Sequence, residues 1–478
     1  MKTYIKYILC LSVGLGIFAC NDFLDIQPED KFLEEQLFST QEGISLALNG
    51  IYAQMVAKNA YGGELTMNTI EVMAQSYNVG DSRHSAHSYG KYAYKDGGVQ
   101  SKFNSIWVNM YTNILNINNL LQGLELYPQV LAAREDSLVR GEAHALRAML
   151  HFDLLRLFGP VYYTNAQDDA IPYYTEPKAE MAEMLSAEQV IVKVLDDLNL
   201  ADSLLSKDPI RTSGPMKSAG IDFNDTFFRY RNFRLNYYAV KALQARVNLY
   251  AGNKEAALEA AKVVIDEATV WFPWILDETI TSGGANIDRA FSTEVIFALE
   301  NNDLYNRQKD YFAANLSQFS ILAPTTQRLE QVFENNISDY RFEYSWFIST
   351  EAAKDYRTFF KFADVEDKSL NFRFMQPLIR MSEMYYIAAE TEPDPTVAID
   401  YLNVVRYERG LEALESTANI EGEIHKEYRK EFYGEGQMFF YYKRKNLSSI
   451  PNGSNMSSID MGAAQYVVPL PLSETDYR

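Results

Sequence analysis

The run from Leu138 to Tyr163, led by Ser137, carries apolar side chains on two helical faces at once. Ala143, Leu146, Leu150, Leu154 and Leu157 recur at the three-and-four spacing of one face. Ala145, Ala148 or Met149, Phe152 and Leu155 cover another. A helix apolar on two faces cannot lie on a surface, so this one is expected to pack between neighbours. The small Ala143, Ala145 and Ala148 let a second helix approach closely. Gly159-Pro160 is expected to end it, Gly as a C-cap and Pro as a residue that cannot continue a helix. Arg147, Asp153 and Arg156 then need partners inside the protein. The segment carries fold, not chemistry.

Its neighbours are legible by the same period. A first helix is expected at about Thr40–Ala57, with Ile44, Leu48, Ile51 and Met55 in line, and a second at about Phe103–Tyr127. A fourth runs from about Ala187 to Leu205, with Ser186 as N-cap. Within Leu235–Asp266 two helices flank Ala251-Gly252-Asn253. Ala245, Gly252, Ala257 and Ala261 fall where a tetratricopeptide helix pair places its small residues. Such a pair leaves an apolar face open and needs neighbours, so the six helices before Asp266 are expected as three stacked pairs. A fourth pair is expected at Leu378–Glu390 and Pro395–Arg409, and one more helix at Ile424–Phe432. Tyr61–Ser101, rich in Gly, Ser, Asn and Tyr, breaks the period and reads as a long functional loop. Thr269–Phe374 reads as loops, short helices and a strand near Glu294–Leu299.

The net charge of −20 argues against a nucleic-acid partner, which wants clustered Lys and Arg. Lys2 and Lys6 precede thirteen mostly apolar residues, Tyr7–Ala19, which read as an export signal too short to span a bilayer. Ile17-Phe18-Ala19-Cys20 resembles a bacterial lipobox, with Phe18 unusual in it. It divides the chain into a signal peptide (1–19), a tether lipidated at Cys20 (20–39) and one domain (40–478). That domain has parts at about 40–268, 269–374 and 375–478. A plain secretory signal or an N-terminal anchor helix is the alternative. Cys10 and Cys20 are the only cysteines, so the mature chain is expected to hold no disulfide and no cysteine metal site.

In their order, several short blocks resemble the SusD/RagB family of outer-membrane lipoproteins of the Bacteroidetes. After the lipobox come Phe23-Leu24-Asp25 and Pro28. Arg147-Ala148, Phe152-Asp153-Leu154 and Arg156-Leu157-Phe158-Gly159 follow, then Pro324-Thr325 and Asp339-Tyr340-Arg341. Ile379-Arg380, Glu383, Ala388-Ala389-Glu390, Arg406, Arg409-Gly410-Leu411, Glu427, Glu431-Phe432, Glu435-Gly436 and the closing Pro469 and Pro471 complete the set. Tyr428, Met438 and Tyr441 stand where the family often has charged residues, so an ion-pair network there is expected to be altered. The resemblance implies a mostly α fold: four tetratricopeptide-like helix pairs in a right-handed stack, with a loop-rich ligand-binding layer. It further implies lipid anchoring in the outer membrane and exposure at the cell surface. The implied partner is a SusC-like TonB-dependent transporter, and the implied ligand an oligosaccharide or, in some relatives, a peptide. It calls for no cofactor.

Sugar binding needs flat aromatic faces and polar side chains for hydroxyls. The candidates are Tyr77, Asn78, Asp81, Arg83, Tyr89, Tyr92 and Tyr94 in the early loop, with Tyr344 and Trp346 as a second group. Trp271 and Trp274 follow a repeat helix and are expected to pack in the core. An enzyme is the competing class. His84 with His87, and His144 with His151, lack the HExxH arrangement, and the chain has no phosphate-binding loop or nucleophile elbow. A glycosidase would need two carboxylates at a separation that sequence alone does not supply. A protein-binding scaffold is the third class, since helical-pair repeats mostly bind proteins.

Overall fold

Among the described residues, four helical hairpins, each packed against the next, form the body of the molecule. The structure is a computed structural model that describes residues 35–178, 180–215, 229–350 and 354–476. The expected signal peptide, Cys20 and most of the tether lie outside the described residues.

Helix α1 (Gln41–Met55) begins at Thr40, whose hydroxyl accepts from the Gly43 N–H, and it packs on α2 (Gly97–Leu126). The central α3 (Ala133–Phe158) packs between α2 and α4 (Ala187–Leu204). Ser186 caps α4, and the Gln189 side chain returns a bond to the Ser186 N–H. Helices α5 (Tyr237–Ala251) and α6 (Lys254–Ala268) turn on Gly252 at φ +82°, a left-handed position that suits glycine. Ala245, Ala257 and Ala261 are fully buried where the helices meet. After the loop-rich region, which holds α7 (Leu304–Phe312) and α8 (Thr326–Val332), come α9 (Met381–Thr391) and α10 (Pro395–Tyr407). Helix α9 packs on α6 as well as on α10, so the last pair continues the series. Helices α11 (Ile420–Glu431) and α12 (Met438–Arg444) complete the body.

The charges of α3 are satisfied as its burial requires. Arg147 forks onto Asp197 at 2.8 and 2.6 Å. Asp153 accepts from Arg156 at 3.0 Å and from the Tyr61 hydroxyl at 2.6 Å. The Arg156 guanidinium lies between the rings of Phe152 and Phe440, at 4.9 and 4.1 Å from their centroids. His151 is stacked on Tyr173 at 3.7 Å and its ring is pushed down to about 3, chiefly by burial. At the end of α3, Lys443 reaches back to donate to the carbonyls of Arg156, Leu157 and Gly159 at 2.8, 3.4 and 2.7 Å.

Among the described residues, four two-stranded antiparallel sheets punctuate the chain. The expected strand is present as Val295–Glu300, paired with Met375–Arg380. Two expectations are corrected. Leu378–Arg380 belongs to that strand and not to a helix. Helix α2 starts six residues early, because Asp96 accepts from the Gly98 and Val99 N–H groups and so caps a helix that opens on two glycines. Gly159 is the C-cap of α3 as expected; its backbone is extended, and its need for glycine is space, since a Cβ there would lie 2.7 Å from the Leu155 side chain.

The altered charges in the C-terminal part leave an aromatic cluster. Tyr428 and Tyr441 lie 4.7 Å apart, flanked by Phe432 and Tyr386, while Met438 is buried beside them. Ions still gather nearby. Arg409 joins Glu294 at 2.6 Å to Glu431 at 2.7 Å, and Arg341 joins Asp339, Glu427 and Glu431 at 2.7, 2.8 and 3.0 Å. All six groups are buried.

Candidate ligand-binding surface

The early loop is built from the inside outward. Its first part, Tyr61–Tyr77, is almost wholly buried and contains the short helix Thr69–Met73. Gln75, at φ +61°, donates to the Gly90 carbonyl at 2.8 Å and accepts from the Gly453 N–H at 3.3 Å. Glu71 accepts from the Ser76 hydroxyl at 2.6 Å and the Gly436 N–H at 2.8 Å, and burial raises its carboxyl to about 7.

From Asn78 the chain comes to the surface, where three segments meet. The Asn78 N–H donates to Ala323 at 2.8 Å and the Ser85 N–H to Phe319 at 2.9 Å, which fastens the loop along 319–323. His84 is buried between them. Its Nε2 faces the Ile321 carbonyl at 3.1 Å, and its Nδ1 accepts from the Ala86 N–H at 3.1 Å. Only a neutral ring makes both bonds, and burial lowers its pKa in the same sense. The third segment is the tip of the hairpin Ser449–Pro451/Ser458–Asp460. Arg328 pins this tip by donating to the carbonyls of Asn452 at 2.9 Å and Ser457 at 3.2 Å. Gly80 abuts it so closely that a Cβ would lie 2.7 Å from Ser454.

This face exposes one charged pair against an aromatic ring. Arg83 forks onto Asp81 at 3.0 and 2.7 Å, and Asp81 also accepts from the Arg83 N–H at 2.9 Å. These bonds hold the Asp81 carboxyl well below the usual carboxylate range. The guanidinium lies 4.1 Å from the Phe319 centroid while its side chain stays 67% exposed. Arg83 Nη1 has no partner among the described residues, so planar donors point outward from a stacked platform.

Of the predicted residues, Asn78, Asp81 and Arg83 are therefore exposed together. Tyr77, Tyr92, Tyr94 and Trp346 are corrected to core side chains. The hydroxyls of the three tyrosines donate to the carbonyls of Met67, Met73 and Gln465 at 2.9, 2.7 and 2.6 Å. Trp346 is 0% exposed, 4.7 Å from Phe359 and 4.8 Å from Tyr433. Tyr89 is half-buried against the core. Tyr344, also half-buried, packs on Tyr340 and lies in a separate small cluster with Ile275 and Phe291. Trp271 and Trp274 pack against the core as expected. Phe319 escaped the sequence reading, although a single aromatic inside the polar run Asn315–Ser320 is a signal that could have found it.

Concavities lie elsewhere too. A cleft of about 360 Å³ runs between Tyr94–Asn104 and the tail Val468–Ser473. A recess of about 840 Å³ lies between the α5–α6 turn and α9, α11 and α12. Four of the charges around it pair among themselves, Arg444 with Glu390 at 2.6 Å and Lys445 with Glu421 at 2.8 Å.

Residues 22–223 match the family described as "Starch-binding associating with outer membrane", and residues 336–467 match the one described as "SusD family". The chain belongs to the SusD/RagB family. SusD-like protein P38 of Formosa agariphila is 25% identical over 215 residues, 42% of this chain and 37% of that protein, so the match spans well under half of that relative. The fold is that of SusD proteins. A SusD superfamily protein from Bacteroides thetaiotaomicron superposes with a TM-score of 0.72 at 22% identity, over 91% of this chain and 98% of the other. A SusD-like carbohydrate binding protein from Bacteroides vulgatus gives 0.69 at 17% identity, over 91% and 96%. SusD proteins are outer-membrane-associated binding proteins, not enzymes.

Proposed function

We propose that this SusD/RagB protein captures an oligosaccharide at the cell surface and passes it, unchanged, to a SusC-like TonB-dependent transporter. A lipid on Cys20 would hold it to the outer membrane, with residues 40–478 acting as one domain. The observation that carries the reading is Arg83, stacked on Phe319 and held in plane by Asp81, with free N–H groups turned to solvent. A pyranose offers the two things such a platform takes, an apolar ring face and adjacent hydroxyls. Asn78 and Ser82 on the early loop and Asn455 on the hairpin tip are exposed and add uncharged polar partners. The Bacteroides vulgatus relative described as carbohydrate binding supports the same ligand class.

The test is calorimetric titration of the full chain, solubilised in detergent, with oligosaccharide and oligopeptide pools. Heat is expected with sugars, with no new reducing ends. Arg83→Ala and Phe319→Ala should each weaken binding about tenfold, the size of one lost polar or stacking contact. Heat with peptides alone would replace the reading with oligopeptide capture. Reducing-end release would replace it with a hydrolase. Silence in every pool, with a transporter still co-purifying, would leave a scaffold.

A further inference from the structure

We infer that the ligand is an uncharged glycan, and that Asp81 is the residue that turns away uronate-bearing or sulfated chains. This rests on the glycan reading above and narrows it. Arg83 is the cation on the exposed stretch Asn78–Ser85, and it is already matched: two side-chain bonds and one backbone bond tie it to Asp81. An anionic substituent seeking its guanidinium would meet a carboxylate that is itself 44% exposed. Like charges at that separation repel unless a cation intervenes.

Among the described residues, the three segments expose no second cation. Asn78, Ser82, Ser85, Gln318, Ser320 and Asn455 are exposed on the three segments and all are neutral. Behind the hairpin tip, Arg328 is buried and spends its N–H groups on backbone carbonyls and the Gln331 side chain, and Arg429 is half-buried in the recess beside it. The whole chain, at −20, adds a long-range field of the same sign as Asp81. A site meant for an acidic chain would leave an arginine or lysine unpaired, because the strong bonds to carboxylate and sulfate come from ionised donors. Here the arginine is kept planar and its charge is cancelled, so it is left to act as a flat donor to hydroxyls.

The experiment titrates the full chain in detergent with neutral gluco-, xylo- and manno-oligosaccharides, with oligogalacturonates and with sulfated galactan oligosaccharides. Binding is expected in the neutral set, with an affinity that stays constant between about 50 and 500 mM salt, since no ionic contact is there to be screened. Asp81→Asn keeps the shape and removes the counter-charge. It should strengthen oligogalacturonate binding up to about fivefold at low salt, the scale of one exposed ion pair, and this gain should vanish in Asp81→Asn/Arg83→Gln. Wild-type preference for the acidic sugars, or affinity that falls with salt, would overturn the inference while leaving glycan capture standing. Neutral binding without any gain in Asp81→Asn would remove Asp81 from the selecting role. Silence from every sugar would overturn both readings together.

Discussion

The helical stack and the loop layer bury their backbones by different means. In the stack, alanines carry the contact: Ala245, Ala257 and Ala261 are fully buried and let α5, α6 and α9 close on one another. In the loop layer, polar side chains supply what regular structure does not. Tyrosine hydroxyls, Gln75, His84 and Arg328 take up backbone groups, and the buried ions around Arg409 and Arg341 join Glu294 and Asp339 to α11. Helices satisfy their own backbone, so shape complementarity is enough there. A loop that is both buried and irregular must find a partner for each polar group. The loop layer is therefore the part in which a single lost side chain strands others.

Arg409→Met breaks that rule most severely, because it leaves Glu294 buried without its cation and takes one of the cations from Glu431. It should lower stability by about 3–5 kcal/mol in urea unfolding. Glu71→Gln tests the opposite case, a buried carboxylate whose removal helps. Its folded carboxyl sits at about 7 against an ordinary 4.5, so the fold holds a proton that the unfolded chain releases between those values. The stability this proton confers is complete below about 4.5 and is lost as pH rises through 7. At pH 8 the glutamine variant should be the more stable by roughly 3 kcal/mol, from ~1.4 kcal/mol per pKa unit. At pH 4 the two should coincide. Ala261→Leu probes the stack, where overpacking should cost about 1–3 kcal/mol with the binding face untouched. The smallest effect belongs to Arg83→Ala and Phe319→Ala, whose melting should stay within about 0.5 kcal/mol of wild type while sugar binding falls. A melt that drops with binding would make this face part of the loop layer's framework rather than its product.

The same contrast explains what could be read beforehand. Helical period and small residues place α1, α4, α5 and α6 within two residues of where they lie, since burial there follows a repeating rule. The loop has no such rule. Gly, Ser and Asn report a turning backbone, not an exposed one, so Tyr77, Tyr92 and Tyr94 looked like surface rings and are core rings with wet-type bonds to carbonyls. Asp81 and Arg83 are legible only as polar side chains of the early loop, and their bond to each other is a local one across two residues. Phe319 comes from more than two hundred residues away and is brought beneath Arg83 by contacts that no local pattern encodes.

Lys443 gives the molecule an unusual order of completion. Its ammonium closes the end of the central helix from 287 residues downstream of Arg156. A growing polypeptide that has not yet delivered this lysine leaves those carbonyls buried without a donor. Truncation ahead of this lysine should therefore loosen the middle of the protein before its edges.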